Sequence, residues 1–147
     1  MSLSPYVRKG KVSAAVGDFG SVAAVTTIAA GSTVTAGTFL VGSSANSITA
    51  HAGGTKAAAT VLAAQFNRIT VCANADDSVL LPTALAGRSV VVFNDGAAAA
   101  RVFGAGTDTI DGVATATGVP LTNTKRAIFI CLTAGAWISA QLGVVAA

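Results

Sequence analysis

The side chains that could carry out acid–base or metal chemistry are few in this chain and widely spaced. All six acidic residues are aspartates, and His51 is the only histidine. His51 has no cysteine or carboxylate at metal-ligand spacing, so a polar loop position explains it better than a metal site. Serines and threonines are numerous, but no histidine–aspartate pair supports a nucleophile among them. We therefore predict that the chain is not an enzyme and uses no cofactor.

Most of the aspartates lie at positions typical of turns. Five of them could bind calcium or stabilise turns: Asp76, Asp77, Asp95, Asp108 and Asp111. Their spacing lacks the alternating ligands and the closing glutamate of a calcium loop. Hydrogen bonds from nearby backbone amides to the carboxylates are the simpler explanation, so we predict no metal site. The Gly104-Ala105-Gly106 segment lacks the lysine and hydroxyl residue of a phosphate loop and is predicted to be a turn.

The two cysteines leave two possibilities open. Cys72 and Cys131 each lie in an apolar, strand-like segment, ITVCA and IFICL. They could pair across adjacent strands, but the sequence does not determine connectivity. In a protein that is assembled in the cytoplasm, buried reduced thiols are the default.

The composition favours a β-rich protein that is covered by partners. Hydrophobic residues make up 52% of the 147 residues and charged residues only 10%, well below the roughly 25% charge of an average soluble domain. The absence of glutamate and the abundance of threonine, valine and glycine favour strands and turns over helices. An alanine- and threonine-rich surface with so few charges predicts an oligomer or a component of a larger assembly.

The positive charge is concentrated near the N-terminus. Three of the nine basic residues, Arg8, Lys9 and Lys11, lie within the first eleven positions, close to Tyr6. This distribution predicts a basic N-terminal arm; a solvated terminus is the simpler alternative. The segment MSLSPYVRKGK has no apolar core of a secretion signal.

Residues 127–147 have about the length of a membrane-spanning helix and follow two basic residues. Threonine, serine, glutamine and glycine interrupt this segment, and TAGA within it is typical of a turn between two β-rich segments. We therefore predict a β-hairpin here and no membrane association.

Short β-prone segments separated by glycine and asparagine turns extend along most of the chain. RSVVVF at residues 88–93 and AARVF at 99–103 are predicted to pair as antiparallel strands across the Asn94-Asp95-Gly96 turn. RAIFICL at 126–132 and AWISAQL at 136–142 are predicted to form a second hairpin. Residues 56–66 have helical propensity at their start, but a strand is preferred.

These segments predict an all-β fold, an antiparallel β-sandwich or jelly-roll-like module with an N-terminal extension. Residues 1–50 are assigned to an N-terminal arm with short β segments, and residues 51–147 to the sandwich module. Trp137 and Phe103 supply the largest apolar areas. The predicted core residues are Val91, Phe93, Val102, Ile128, Ile130 and Trp137.

The last two-thirds of the chain resembles a recurrent module of tailed-bacteriophage virion proteins. The resemblance rests on an FNR triplet, a DSV-LP element, a valine-rich strand ending in asparagine, a VF pair before a glycine loop, a D-I pair, and a closing C--AG-W. In this chain they are found at Phe66-Asn67-Arg68, Asp77-Ser78-Val79, Leu81-Pro82, Asn94, Val102-Phe103, Asp108, Ile110 and residues 131–137.

The resemblance implies a capsid decoration (cement) or head-fibre type β-module. The expected partners are the major capsid protein and other copies of the chain in a homotrimer, and the expected location is the capsid exterior of a virion assembled in the host cytoplasm. Tyr6, Arg8, Lys9 and Lys11 are the predicted capsid-contact residues. The alternative is a tail or fibre component that acts as a host-binding adhesin. A nucleic-acid-binding module is disfavoured because Arg88, Arg101, Lys125 and Arg126 are too sparse.

Overall fold

The computed structural model describes residues 42–143, and these form strands joined by short turns. One short 3-10 helix spans Lys56–Ala58. The strands, in chain order, are β1 (Ser44–Thr49), β2 (Thr60–Val61), β3 (Phe66–Val71), β4 (Ser78–Leu80), β5 (Ser89–Asn94), β6 (Ala100–Phe103), β7 (Thr109–Ile110), β8 (Val119–Leu121), β9 (Arg126–Thr133) and β10 (Ala136–Leu142).

From β1 to β6 the chain alternates between two sheets. The six-stranded sheet has the order β1-β3-β5-β9-β10-β7, and the four-stranded sheet has the order β2-β4-β6-β8. β1, β3 and β5 are parallel neighbours in the first sheet, and β2, β4 and β6 are parallel neighbours in the second. The chain therefore winds through three stacked coils, each with one strand in either sheet, as in a β-solenoid.

The stacking of coils continues through some of the corners between the sheets. The Ala50 amide donates to the carbonyl of Val71 at 2.8 Å, and the Ala98 amide donates to the carbonyl of Cys72 at 2.9 Å. The first bond joins the residue after β1 to the end of β3, and the second joins the segment after β5 to the residue after β3. They hold successive coils in register outside the regular strands.

Most pairings in the C-terminal part of the stack are antiparallel; the exception is the short parallel pairing of β7 with β10. β9 pairs with β5, β10 pairs with β9, and β8 pairs with β6, all antiparallel. The predicted hairpin at residues 126–142 is confirmed, because β9 and β10 pair along their length around the turn at Gly135, whose φ is 84°. In the part of the chain that the structure describes, no helix is long and apolar enough to cross a membrane.

The predicted antiparallel sandwich or jelly-roll-like fold is wrong. The first hairpin is also wrong, because β5 and β6 belong to different sheets and the Asn94-Asp95-Gly96 turn carries the chain from one sheet to the other. The Asn94 side chain donates to the carbonyls of Ala98 and Leu121. This buried amide directs the chain round a corner, whereas a hairpin would have returned it alongside β5.

The core lies between the two sheets. Fully buried side chains from the six-stranded sheet, such as Ile69, Val92 and Phe129, meet Val79 and Val102 from the four-stranded sheet. Trp137 and Phe103 are buried.

Two of the six predicted core residues, Val102 and Trp137, are buried as expected. The other four were predicted wrongly, because Val91, Phe93 and Ile128 are half-buried and Ile130 is exposed. Their sequence neighbours Val90, Val92, Ala127 and Phe129 fill the core instead. Consecutive apolar residues in both strands gave no sign of which side chains point inward.

Other predictions for the described segments have mixed outcomes. Residues 56–66 contain the short 3-10 helix, then β2, then the first residue of β3. β1, from the region assigned to the N-terminal arm and β segments, pairs with β3 in the six-stranded sheet. Gly104-Ala105-Gly106 is a turn, as predicted, in which the Asp108 amide donates to the carbonyl of Ala105.

The close approach of neighbouring coils predicts that Gly96 cannot be replaced without cost. A Cβ atom at Gly96 would lie 2.5 Å from the Cβ atom and 2.6 Å from the backbone nitrogen of Cys72. We expect Gly96→Ala to lower the free energy of unfolding by about 1–3 kcal/mol, because the two coils must separate. Urea denaturation measures this. Gly143→Ala is the matched control, since a Cβ atom there would meet nothing within 4 Å among the described residues; equal effects of the two variants would contradict the prediction.

Candidate interaction surface

The outer side of the six-stranded sheet carries an unusually apolar set of side chains. We define the apolar face as the outward-pointing large residues of β3, β5, β9 and β10: Phe66, Val91, Phe93, Ile128, Ile130, Leu132, Ile138 and Leu142. Five of the eight large apolar side chains that are exposed in the described residues belong to it. Leu132 and Ile138 are the most exposed of these, at 68% and 51%.

Strand register places these side chains in rows across the sheet. Phe66 pairs with Val91, Val91 with Ile128, and Ile128 with Ala140, which gives an entirely apolar central row. Directly paired residues of adjacent strands lie on the same side of a sheet and contact one another. The central row is therefore a continuous apolar strip across four strands.

The row next to it towards Leu142 contains the positive charges of the surface. Arg68 pairs with Phe93, and Phe93 pairs with Arg126. Arg68 forms an ion pair with Asp95 at 2.6 Å. The guanidinium of Arg126 lies 5.6 Å from the centre of the Phe93 ring, a cation–π contact. Among residues 42–143, no carboxylate lies within ion-pair distance of Arg126.

The opposite row consists of Ser89, Ile130 and Ile138, so the surface has a cationic end and an apolar end. Strands lie about 4.8 Å apart, and outward rows lie about 6.6 Å apart because they recur at every second residue. A face four strands wide and three row intervals long therefore covers roughly 400 Å². Patches of this size on a monomer are often functional. A groove of about 310 Å³ borders the cationic end, lined in part by Phe66, Arg68, Phe93 and Asp95.

The five described aspartates are engaged within the fold. Asp77 accepts hydrogen bonds from the amides of Ala73 and Asn74, and Asp108 accepts one from the amide of Ala84. Asp111 accepts bonds from the amide and hydroxyl of Ser139. The prediction that nearby backbone amides bind the carboxylates is confirmed for Asp77; Asp108 and Asp111 bind amides that are distant in sequence. The remaining two pair with arginines, Asp95 with Arg68 and Asp76 with Arg101.

The other candidate residues lie apart from the apolar face. His51 is exposed and joins Ser78 through two backbone hydrogen bonds. No cluster of three or more metal-ligating side chains exists in the described part of the chain. Cys72 and Cys131 are buried free thiols. Burial raises the pKa of the Cys72 thiol, and the negative charge of Asp77 adds to the rise.

The predicted capsid-contact residues Tyr6, Arg8, Lys9 and Lys11 lie outside the described residues. Four members of the apolar face, Val91, Phe93, Ile128 and Ile130, were predicted to be core residues, so the sequence did not reveal the face. Charged and polar residues carried the available signal: Arg68, Ser89 and Arg126 each lie two positions from a residue of the apolar face, in β3, β5 and β9, and so mark the same side as the solvent side. The buried amides of Asn67 and Asn94 weakened that signal, because they place polar residues on the inner side.

Comparison of the chain with protein-family models, with curated proteins and with solved structures gave no match.

The assignment of inner and outer sides predicts different losses of stability when two adjacent valines of β5 are replaced by alanine. Val92 is fully buried, and Val91 lies half-buried on the apolar face. We expect Val92→Ala to cost about 2 kcal/mol in the free energy of unfolding, because it removes buried methyl groups and leaves a cavity. Val91→Ala should cost less than about 1 kcal/mol, because its side chain is already partly hydrated. Urea denaturation of both variants decides the point, and the reverse order would mean that the sides are misassigned.

The hydrogen bonds to Asp77 predict an acid-sensitive turn. The backbone amide of Asn74, followed by that of Ala73, holds the pKa of Asp77 below its ordinary value of 3.8. A depressed pKa in the folded state stabilises the fold above pH 3.8, and this stabilisation is lost as the pH falls through the folded-state pKa. We expect Asp77→Asn to be less stable than the wild type at pH 7 and to approach it in strong acid. Thermal melts of both proteins between pH 7 and strong acid measure the difference in melting temperature; a difference that is the same at every pH would contradict the prediction.

Proposed function

We propose that the chain is a non-enzymatic structural protein of a tailed-phage virion that acts by adhesion through its apolar face. In this proposal it decorates the capsid exterior as a cement protein and stabilises the shell by bridging capsid subunits. The observation that carries the proposal is the placement of Phe66, Ile130, Leu132, Ile138 and Leu142 on one outer sheet surface. The phage setting rests on the resemblance in sequence.

A sheet surface suits this role for a physical reason. Strand pairing fixes the backbone that carries these side chains, on both sides for β3, β5 and β9. Little backbone conformational entropy therefore remains to be lost when a partner covers the face. The apolar face of roughly 400 Å² is about half of the roughly 800 Å² per partner that a stable complex usually buries. A single contact of this size is weak, and it becomes a firm attachment when a second contact tethers the same molecule.

The predicted basic arm would supply that second contact. Tyr6, Arg8, Lys9 and Lys11 are proposed to reach a neighbouring capsid subunit while the apolar face binds the first. The resemblance also predicts a homotrimer, which would match the threefold and quasi-threefold positions of an icosahedral shell and multiply the contacts again. Bridging of this kind would resist the outward pressure of packaged DNA.

The coil architecture favours one alternative, a tail or fibre component that acts as a host-binding adhesin. Stacked coils build rod-like bodies with long side surfaces, which suit a fibre. The aromatic side chains offer less support for this alternative. Trp137 is buried, and Phe93 is half-buried beneath Arg126, which leaves Phe66 as the exposed aromatic residue of the apolar face.

The location test uses particles of the phage that encodes the chain. Mass spectrometry of purified particles should detect the polypeptide, and immunogold labelling should place it on the head. Particles that lack it should lose DNA at a lower temperature than complete ones. Labelling at the tail tip would favour the adhesin, and its absence from purified particles would overturn both functions.

The surface test uses paired variants and the same particles. Leu132→Asp and Ile138→Asp place a charge on the apolar face, and we expect each to lower occupancy about tenfold or more, because the charge would be buried on binding. Val61→Asp is the matched control, since Val61 is 61% exposed but lies on β2 in the other sheet. All three should melt close to the wild type in solution. Equal occupancy of all three variants would show that the apolar face is not the attachment surface.

A further inference from the structure

The charges around the apolar face indicate what kind of surface binds there. Arg126 lies in the same row as Arg68 and Phe93, at one end of the face. Asp95 neutralises the charge of Arg68. Arg126 lies over the ring of Phe93 and forms no ion pair with any carboxylate of the described residues. Lys125, adjacent in sequence and also half-buried, adds a second positive charge at the start of β9. The face thus combines an apolar strip with a cationic end.

We infer that the apolar face binds a different protein whose own apolar strip is bordered by a carboxylate that pairs with Arg126. The inference rests on the proposed function and adds the chemistry of the partner. Covering Arg126 with an apolar surface alone would remove its hydration without an opposite charge, which is costly. A carboxylate at that position would instead form a charge-assisted, bidentate hydrogen bond with the guanidinium.

As far as the carboxylates of residues 42–143 show, a second copy of this chain fits the face less well. The carboxylates of Asp77, Asp108 and Asp111 are bound to backbone amides or to Ser139. Asp76, Asp95 and Asp111 are exposed. Asp76 and Asp95 each pair with an arginine of their own molecule, and both carboxylate oxygens of Asp111 accept bonds from Ser139. Arg126 of a second copy would therefore have to share one of these carboxylates with the group that it already binds, whereas a foreign partner can supply a carboxylate with both oxygens open to a bidentate pair.

The size of the face also favours a foreign surface that repeats. At roughly 400 Å² the face is too small to hold two copies together in free solution. On a lattice of identical partner subunits the same contact is reinforced by the other attachments of the molecule. Arg126 then sets the orientation of each copy, because a bidentate arginine–carboxylate pair fixes direction as well as contact.

The test measures binding to purified particles from which this protein has been removed. We expect Arg126→Glu to lower affinity about tenfold or more and to abolish most of the salt dependence that the wild type shows between roughly 50 and roughly 500 mM sodium chloride. Arg126→Lys should keep the salt dependence but lose part of the affinity, because lysine cannot form the bidentate pair. Lys56→Glu is the matched control, because it reverses a positive charge outside the apolar face, at a 3-10 helix residue whose ammonium group donates to the carbonyl of Gly106.

The outcomes separate this inference from the function on which it rests. If Ile138→Asp abolishes binding and Arg126→Glu does not, the face is the attachment surface and the carboxylate partner is refuted. If the free wild-type protein is an oligomer in solution and Ile138→Asp makes it a monomer, the occupant is a second copy and the inference is overturned. If the wild-type protein does not bind the particles at all, the proposed function itself fails. Thermal melts of each variant show whether a loss of binding reflects unfolding.

Discussion

In-register stacking of successive coils is the constraint on which the rest of this structure depends. β1, β3 and β5 pair in parallel in one sheet, β2, β4 and β6 pair in parallel in the other, and corner bonds such as Ala98 to Cys72 continue the ladder between them. Once one coil is in place, the next must present its side chains with the same inward and outward alternation, because paired residues share a side of the sheet. This rule creates both the core and the apolar face.

The distribution of polar groups follows from the same constraint. Buried corners leave backbone amides and carbonyls without strand partners, and short polar side chains supply the missing bonds. Asn94 bonds two carbonyls from different segments, Asp77 bonds two amides, and Asp108 bonds the amide of Ala84. These side chains are used to hold the turns, which leaves few of them free for chemistry. The outer side of the six-stranded sheet instead exposes mainly apolar side chains, which suit contact with another protein surface.

The link from fold to function lies in the geometry of the apolar face. Register aligns Phe66, Val91 and Ile128 in one row and sets Phe93 and Arg126 in the next. A rigid sheet presents them together, so the proposed partner would meet a preformed strip with a charge at a defined end. Adhesion of this kind needs no moving part, and its strength grows with the number of contacts made at once. The small area of the face is therefore consistent with a role on a repeating surface.

The sequence by itself determined the β-rich character, the β9–β10 hairpin, the local bonds of Asp77 and the burial of Trp137, because each depends on local composition or on turn chemistry. The partners of the other four described aspartates are distant in sequence and were decided by the tertiary structure. The sequence did not determine which side of β5 and β9 faces inward. Val90 to Val92 and Ala127 to Ile130 are apolar on both sides, so a shift of one residue leaves the pattern equally hydrophobic. Nor did it determine that the turn after Asn94 leads to another sheet, since the same three residues are typical of a hairpin. Both choices were made by the tertiary structure, through the pairing of strands that are distant in sequence.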